Sequence, residues 1–167
     1  MKNPIKKAFT LIELIIVIAI VAILAAAIFV AVDPARRLHE ARNAVRSSDT
    51  ATILEAVKKY QVDNGGTHVT AIATGITAGE YHVIGTAGSG CNSTCTAQTT
   101  QADCVDISGM GNTYLAAVPM DPSTGTAANT DYYLVKGSTN EITVGACDAE
   151  GEGAGGAGSA PAIEVTR

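Results

Sequence analysis

Glu13 stands at the edge of nineteen consecutive apolar residues, Leu14 to Val32. A carboxylate at the margin of hydrocarbon must be paired, reach for water or face a protein interior. Lys6 and Lys7 lie one to two turns before it, and both leave with any cut before Phe9. That cut frees a new cation, the α-ammonium of Phe9. It lies four residues from Glu13 in the same chain, and within reach between staggered neighbouring chains. On this reading the acid specifies register between copies, as a buried polar group does in a coiled coil.

The remaining residues with chemistry lie beyond Gly65-Gly66. Four cysteines, Cys91, Cys95, Cys104 and Cys147, allow three pairings. In an exported domain they read as two disulfides, one local among Cys91, Cys95 and Cys104, with the remaining cysteine joined to Cys147. Zinc and free thiols are the alternatives. The C-x3-C spacing is not the usual C-x2-C knuckle, and the other two cysteines are distant in sequence. His39, His68 and His82 show no spacing for metal or catalysis. No nucleophile-elbow glycines and no paired-carboxylate motif surround the serines and aspartates, so the chain does not read as an enzyme. Asn92-Ser93-Thr94 fits an N-glycosylation acceptor, but a three-residue match in a Thr-rich loop reads as chance.

The elements that must position these groups follow from hydrophobic pattern. An apolar run of this length spans a bilayer as a helix. A secretory signal peptide, with Ala25-Ala26-Ala27 as the small-residue site, fits the Lys-bearing start but not the long run or its opening acid. A plain signal anchor leaves Glu13 unexplained. Asp33-Pro34 interrupts the run, and Asp33 can cap a new helix with Pro34 at its first position. Beyond it Leu38, Ala41, Val45, Ile53, Ala56, Val57 and Tyr60 recur at helical spacing as an amphipathic stripe, stopped by Gly65-Gly66. Arg36, Arg37, Arg42 and Arg46 read as solvated surface and head-group contact, or as contact with the acidic head of an adjacent subunit. Residues 80–85 form a short strand, 131–146 a β-hairpin around Lys136-Gly137-Ser138-Thr139-Asn140, and 162–166 an edge strand. The Gly-rich stretch between the last two reads as a flexible loop.

Charge is unevenly placed along the 167 residues, whose formal net charge is −5. After Tyr60 the basic residues are Lys136 and Arg167, against eleven Asp and Glu. A domain this acidic does not neutralise phosphates, so no nucleic-acid contact is expected. Lys/Arg counting does not orient the span, because three Lys precede it and four Arg follow.

Lys6-Lys7-Ala8 followed by Phe9-Thr10-Leu11-Ile12-Glu13-Leu14 is similar to the class III signal of type IV pilins and type II secretion pseudopilins. The resemblance covers about the first sixty residues, with Ala8 where the family usually has Gly. It implies cleavage between Ala8 and Phe9 by a prepilin peptidase, N-methylation of Phe9, and Glu13 as the family's assembly glutamate. It also implies a cytoplasmic leader (1–8), a transmembrane and filament-core helix (9–32), an amphipathic continuation (33–64) and an exported head (65–167). The fold expected is α+β, a long helix packed on a small antiparallel sheet. The partners implied are the membrane before assembly, an inner-membrane assembly platform, and further copies in an extracellular or periplasmic helical filament. The expected function is a structural subunit of a type IV pilus or pilus-like filament. The alternatives are a major pseudopilin of type II secretion and, from another class, a membrane-anchored extracellular binding module.

Pro119-Met120-Asp121-Pro122 with Tyr132-Tyr133 is similar to the P-x-D-P…Y-x-Y pattern of major pseudopilins, some of which hold calcium in this loop. Asp121, Ser123 and Asp131 are the donors that resemblance proposes. The Trp-Gly usual after Asp-Pro is missing, and a turn stiffened by two prolines is the alternative. No other cofactor is expected.

Overall fold

The computed structural model describes residues 9–167, so Lys6, Lys7 and the proposed cleavage residue Ala8 lie outside the described residues. Helix α1 runs Leu11–Val32 and helix α2 Pro34–Asp63. They are separated by Asp33, which takes a left-handed conformation (φ 46°, ψ 71°). Asp33 serves as N-cap of α2, its Oδ1 accepting from the Arg36 N–H at 3.4 Å with Pro34 at the first helical position. Pro34 has no N–H to give a preceding turn, so the backbone breaks where it costs least.

A short helix α3 (Thr70–Ala73) leads to a four-stranded antiparallel sheet. Its strands, β1 (Tyr81–Val83), β2 (Tyr132–Lys136), β3 (Ile142–Ala146) and β4 (Glu164–Thr166), lie in sequence order. The architecture is α+β, a long N-terminal helix with a small antiparallel sheet laid on α2. Register in the central hairpin runs from Tyr132↔Ala146 to Lys136↔Ile142.

Period-2 alternation sends the two faces of the sheet to different partners. Tyr132, Leu134, Ile142 and Val144 join Ile53, Leu54, Ala56 and Val57 of α2 in the main core. Full burial of each large aliphatic side chain stabilises the fold by roughly 1.5–3 kcal/mol. The other face carries Tyr133 and Val83, which pack against Cys91 and Cys147. Gly145 pairs with Tyr133 across the strands, and a Cβ there would collide with the Tyr133 ring.

Two disulfides staple this second layer. Cys91–Cys104 closes a loop of sequence separation 13, and Cys95–Cys147 ties that loop to the end of β3 over a separation of 52. On the chain-entropy account the two contribute roughly 3 and 4 kcal/mol by restricting the unfolded chain.

Two expectations are corrected. The stripe expected along α2 is buried only in its second half. Leu38 and Val45 are 50% and 45% exposed, whereas Ile53, Ala56 and Val57 are at most 4% exposed. In the first half the face turned to the head is polar, with Asn43, Arg46 and Thr50 buried in place of the apolar residues. The Gly-rich stretch, expected to be flexible, is laid along that polar face. Gly155 donates its N–H to Asp33 Oδ2 at 2.7 Å, and the Gly151 carbonyl accepts from His39 Nδ1 at 2.8 Å. Gly155 does so at φ 67°, a conformation that a Cβ would disfavour.

Candidate functional site

Every residue of α1 is exposed, and the helix is long and apolar enough to cross a membrane. Its 22 residues extend about 33 Å, close to the hydrocarbon thickness of a bilayer. At its start Thr10 and Glu13 form a capping box. Glu13 Oε2 accepts from the Thr10 backbone N–H and hydroxyl, both at 2.9 Å, while Thr10 Oγ1 accepts from the Glu13 N–H at 3.3 Å. These bonds satisfy donors that the first helical turn leaves without intrahelical partners. Glu13 therefore has a partner within its own chain, and the Thr-x-x-Glu spacing ahead of an apolar run carries that signal in the sequence. Both bonds fall on Oε2. Phe9, the other residue proposed for assembly, is 87% exposed.

The second constellation joins α2 to the head, and sequence reasoning missed it. Arg46 is 1% exposed. Its Nε and Nη2 donate to the two oxygens of Asp121, the latter at 3.1 Å. Its Nη1 donates to Glu150 Oε2 at 2.8 Å and to Asn43 Oδ1 at 2.9 Å. Arg42 donates to the other Glu150 oxygen at 2.8 Å. Asn43 completes the junction, accepting the Glu150 N–H and donating to the Glu150 carbonyl and to Glu152. Arg42 and Arg46 thus meet acids of their own head, where the sequence reading expects solvent or a neighbouring subunit. Arg36 and Arg37 pair with Glu40 on the helix surface.

Burial alone would raise the Asp121 carboxyl. The Arg46 hydrogen bonds and the N–H groups of Ser123 and Thr124 outweigh it and hold the group below the usual carboxylate range. Glu150 behaves alike: burial raises it, and the Arg46 and Arg42 hydrogen bonds bring it below its ordinary value. Asp131 goes the other way. Burial raises it, with Asp148 and Asp121 adding to the effect, and Thr124 and Arg46 compensate only in part.

Of the three donors proposed for calcium, Asp121 has both carboxylate oxygens taken up. Asp121 is held by Arg46, and Ser123 gives its backbone N–H, not its hydroxyl, to Asp121 Oδ1. Asp131 borders a pocket with Asp148, Asn129 and three threonines, one of which, Thr124, also gives its N–H to Asp121. The four candidate cysteines are consumed by the two disulfides. His82 lies buried between strand and loop, its Nδ1 3.3 Å from the Asp103 carbonyl.

Residues 4–29 match the family model described as the prokaryotic N-terminal methylation motif. No curated protein and no solved structure matches the chain. The motif and the exposed apolar helix α1 that it reaches into, the one membrane-length apolar helix among the described residues, fit single-pass membrane anchoring before assembly. With the α+β head they support membership of the type IV pilin and pseudopilin family.

Proposed function

We propose that this chain is a structural, non-catalytic subunit of a type IV pilus or pilus-like secretion filament. A prepilin peptidase removes residues 1–8 between Ala8 and Phe9, and Phe9 is N-methylated. The membrane holds the mature chain through α1 until an inner-membrane platform extracts it, and α1 then packs among the α1 helices of other copies. The methylation motif, which runs from residue 4 into the fully exposed apolar α1 as far as residue 29, carries this reading. An apolar helix of that kind needs lipid or other helices around it along its whole length. Glu13 Oε2 is held by Thr10, and Oε1 remains for the Phe9 ammonium of a neighbouring copy.

The experiment is Glu13→Ala in cells that carry the peptidase and the assembly platform. The expected outcome is a chain that is processed and retained in the membrane but absent from filaments seen by electron microscopy. Assembly indistinguishable from the native chain refutes the role of Glu13. A native chain that stays unprocessed and monomeric makes it an anchored binding module instead.

A further inference from the structure

Two head loops, residues 119–131 and 147–158, converge on one side chain of α2, Arg46. The side chains of Arg46 and Asp121 are 1% and 0% exposed. Four guanidinium hydrogen bonds are made there: two to Asp121, one to Glu150 and one to Asn43. Asp121 Oδ1 also accepts the N–H groups of Ser123 at 2.8 Å and Thr124 at 3.2 Å. Calcium requires roughly six to eight oxygen ligands with lone pairs turned toward it. Those of Asp121 are already turned toward N–H donors. The carboxylates of Asp121 and Glu150 already face the cations of Arg46 and Arg42. A divalent ion would meet a buried guanidinium in the place it needs, and like charges at that range repel strongly in a low-dielectric site.

We propose that Arg46 is the resident cation of this head: its planar fork draws the two loops onto α2 as a bound divalent ion would, and the fold is independent of calcium. Arginine suits the task because its N–H groups lie in a rigid plane that matches two carboxylates at once. This role of Arg46 lies within the head and does not depend on filament assembly. The competing place for an ion is the pocket of about 390 Å³ bordered by Asp131, Asp148 and Asn129.

Thermal unfolding of the full chain in detergent micelles, followed by near-UV circular dichroism of its tyrosines, tests the proposal in EGTA and in millimolar calcium chloride. The two midpoints are expected to agree within about 1 °C. Arg46→Lys keeps the charge and loses the fork, and should unfold several degrees lower by the same amount in both buffers. A rise of several degrees in calcium for the native chain, as an ion well above its Kd would produce, overturns the proposal. If Asp131→Asn abolishes that rise, the ion is placed at Asp131.

Discussion

Replacing Arg46 with methionine removes the charge and keeps much of the volume, and its cost follows from what is left behind. Asp121 would remain at 0% side-chain exposure with a negative charge and no cation. Removing one partner of a buried pair costs about 3–5 kcal/mol, because the survivor stays desolvated. Glu150 softens the loss: its side chain is 20% exposed and keeps Arg42, so the lower end of that range applies, about 3 kcal/mol. For a head of this size that is a fall of roughly 10 °C in unfolding midpoint. The double variant Arg46→Met/Asp121→Asn discriminates the cause. Its side-chain carbonyl oxygen can still accept the Ser123 and Thr124 N–H groups. The double variant should therefore recover about half of the Arg46→Met loss, and because Asp121→Asn alone also strands a buried charge, the coupling should exceed that recovered half of about 1.5 kcal/mol. Thermal unfolding of the native chain, both single variants and the double variant in detergent, read by tyrosine near-UV circular dichroism, measures the cycle. An Arg46→Met midpoint within about 1 °C of native, or two effects that simply add, would refute the reasoning.

Other outcomes follow from the same geometry. Asp121 and Glu150 are held below their ordinary values of 3.8 and 4.5, so their stabilisation is complete above those values and is lost as pH falls through the lowered ones. A midpoint-against-pH curve should therefore drop below about pH 4, and the drop should be shallower in Arg46→Met. Asp131 is raised by burial and sits at φ 58°, which asparagine tolerates well. Asp131→Asn should raise the midpoint by a few degrees at neutral pH, and the gain should shrink on acidification as the native carboxyl takes up its proton. His68 is lowered mainly by burial, with Lys58 adding to it, so the fold should lose stability as pH falls through the ordinary histidine value of 6.5. Comparing pH titrations of the native chain and His68→Gln isolates that step. Gly145→Ala forces a methyl group into the Tyr133 ring and should cost about 1–3 kcal/mol, measured by the same unfolding assay.

Much of the fold is written in local pattern. The hairpin 131–146 alternates because one face of each strand meets α2 and the other meets the disulfide layer. Both disulfides agree with a local bridge plus one to Cys147, since Cys147 directly follows β3. Asp33-Pro34 announces the helix break through capping chemistry that involves only near neighbours. The Arg46 junction is not legible for the opposite reason. Its partners lie 75 and 104 residues away, and an arginine at helical spacing among three others reads as solvated surface. Leu38 and Val45 mislead in the same way: their spacing is helical, but only the position of the head decides which side of α2 is inside. The Gly-rich stretch looks free because its contacts are made by backbone groups, to Asp33 and His39, which composition does not reveal.

The role as a filament subunit is tested most directly by the intact mass and N-terminal sequence of the chain recovered from filaments sheared off the native cells. The recovered chain should begin at N-methylated Phe9 and lack residues 1–8. A recovered chain that begins at Met1, or a soluble product that begins near Ile28, would contradict it.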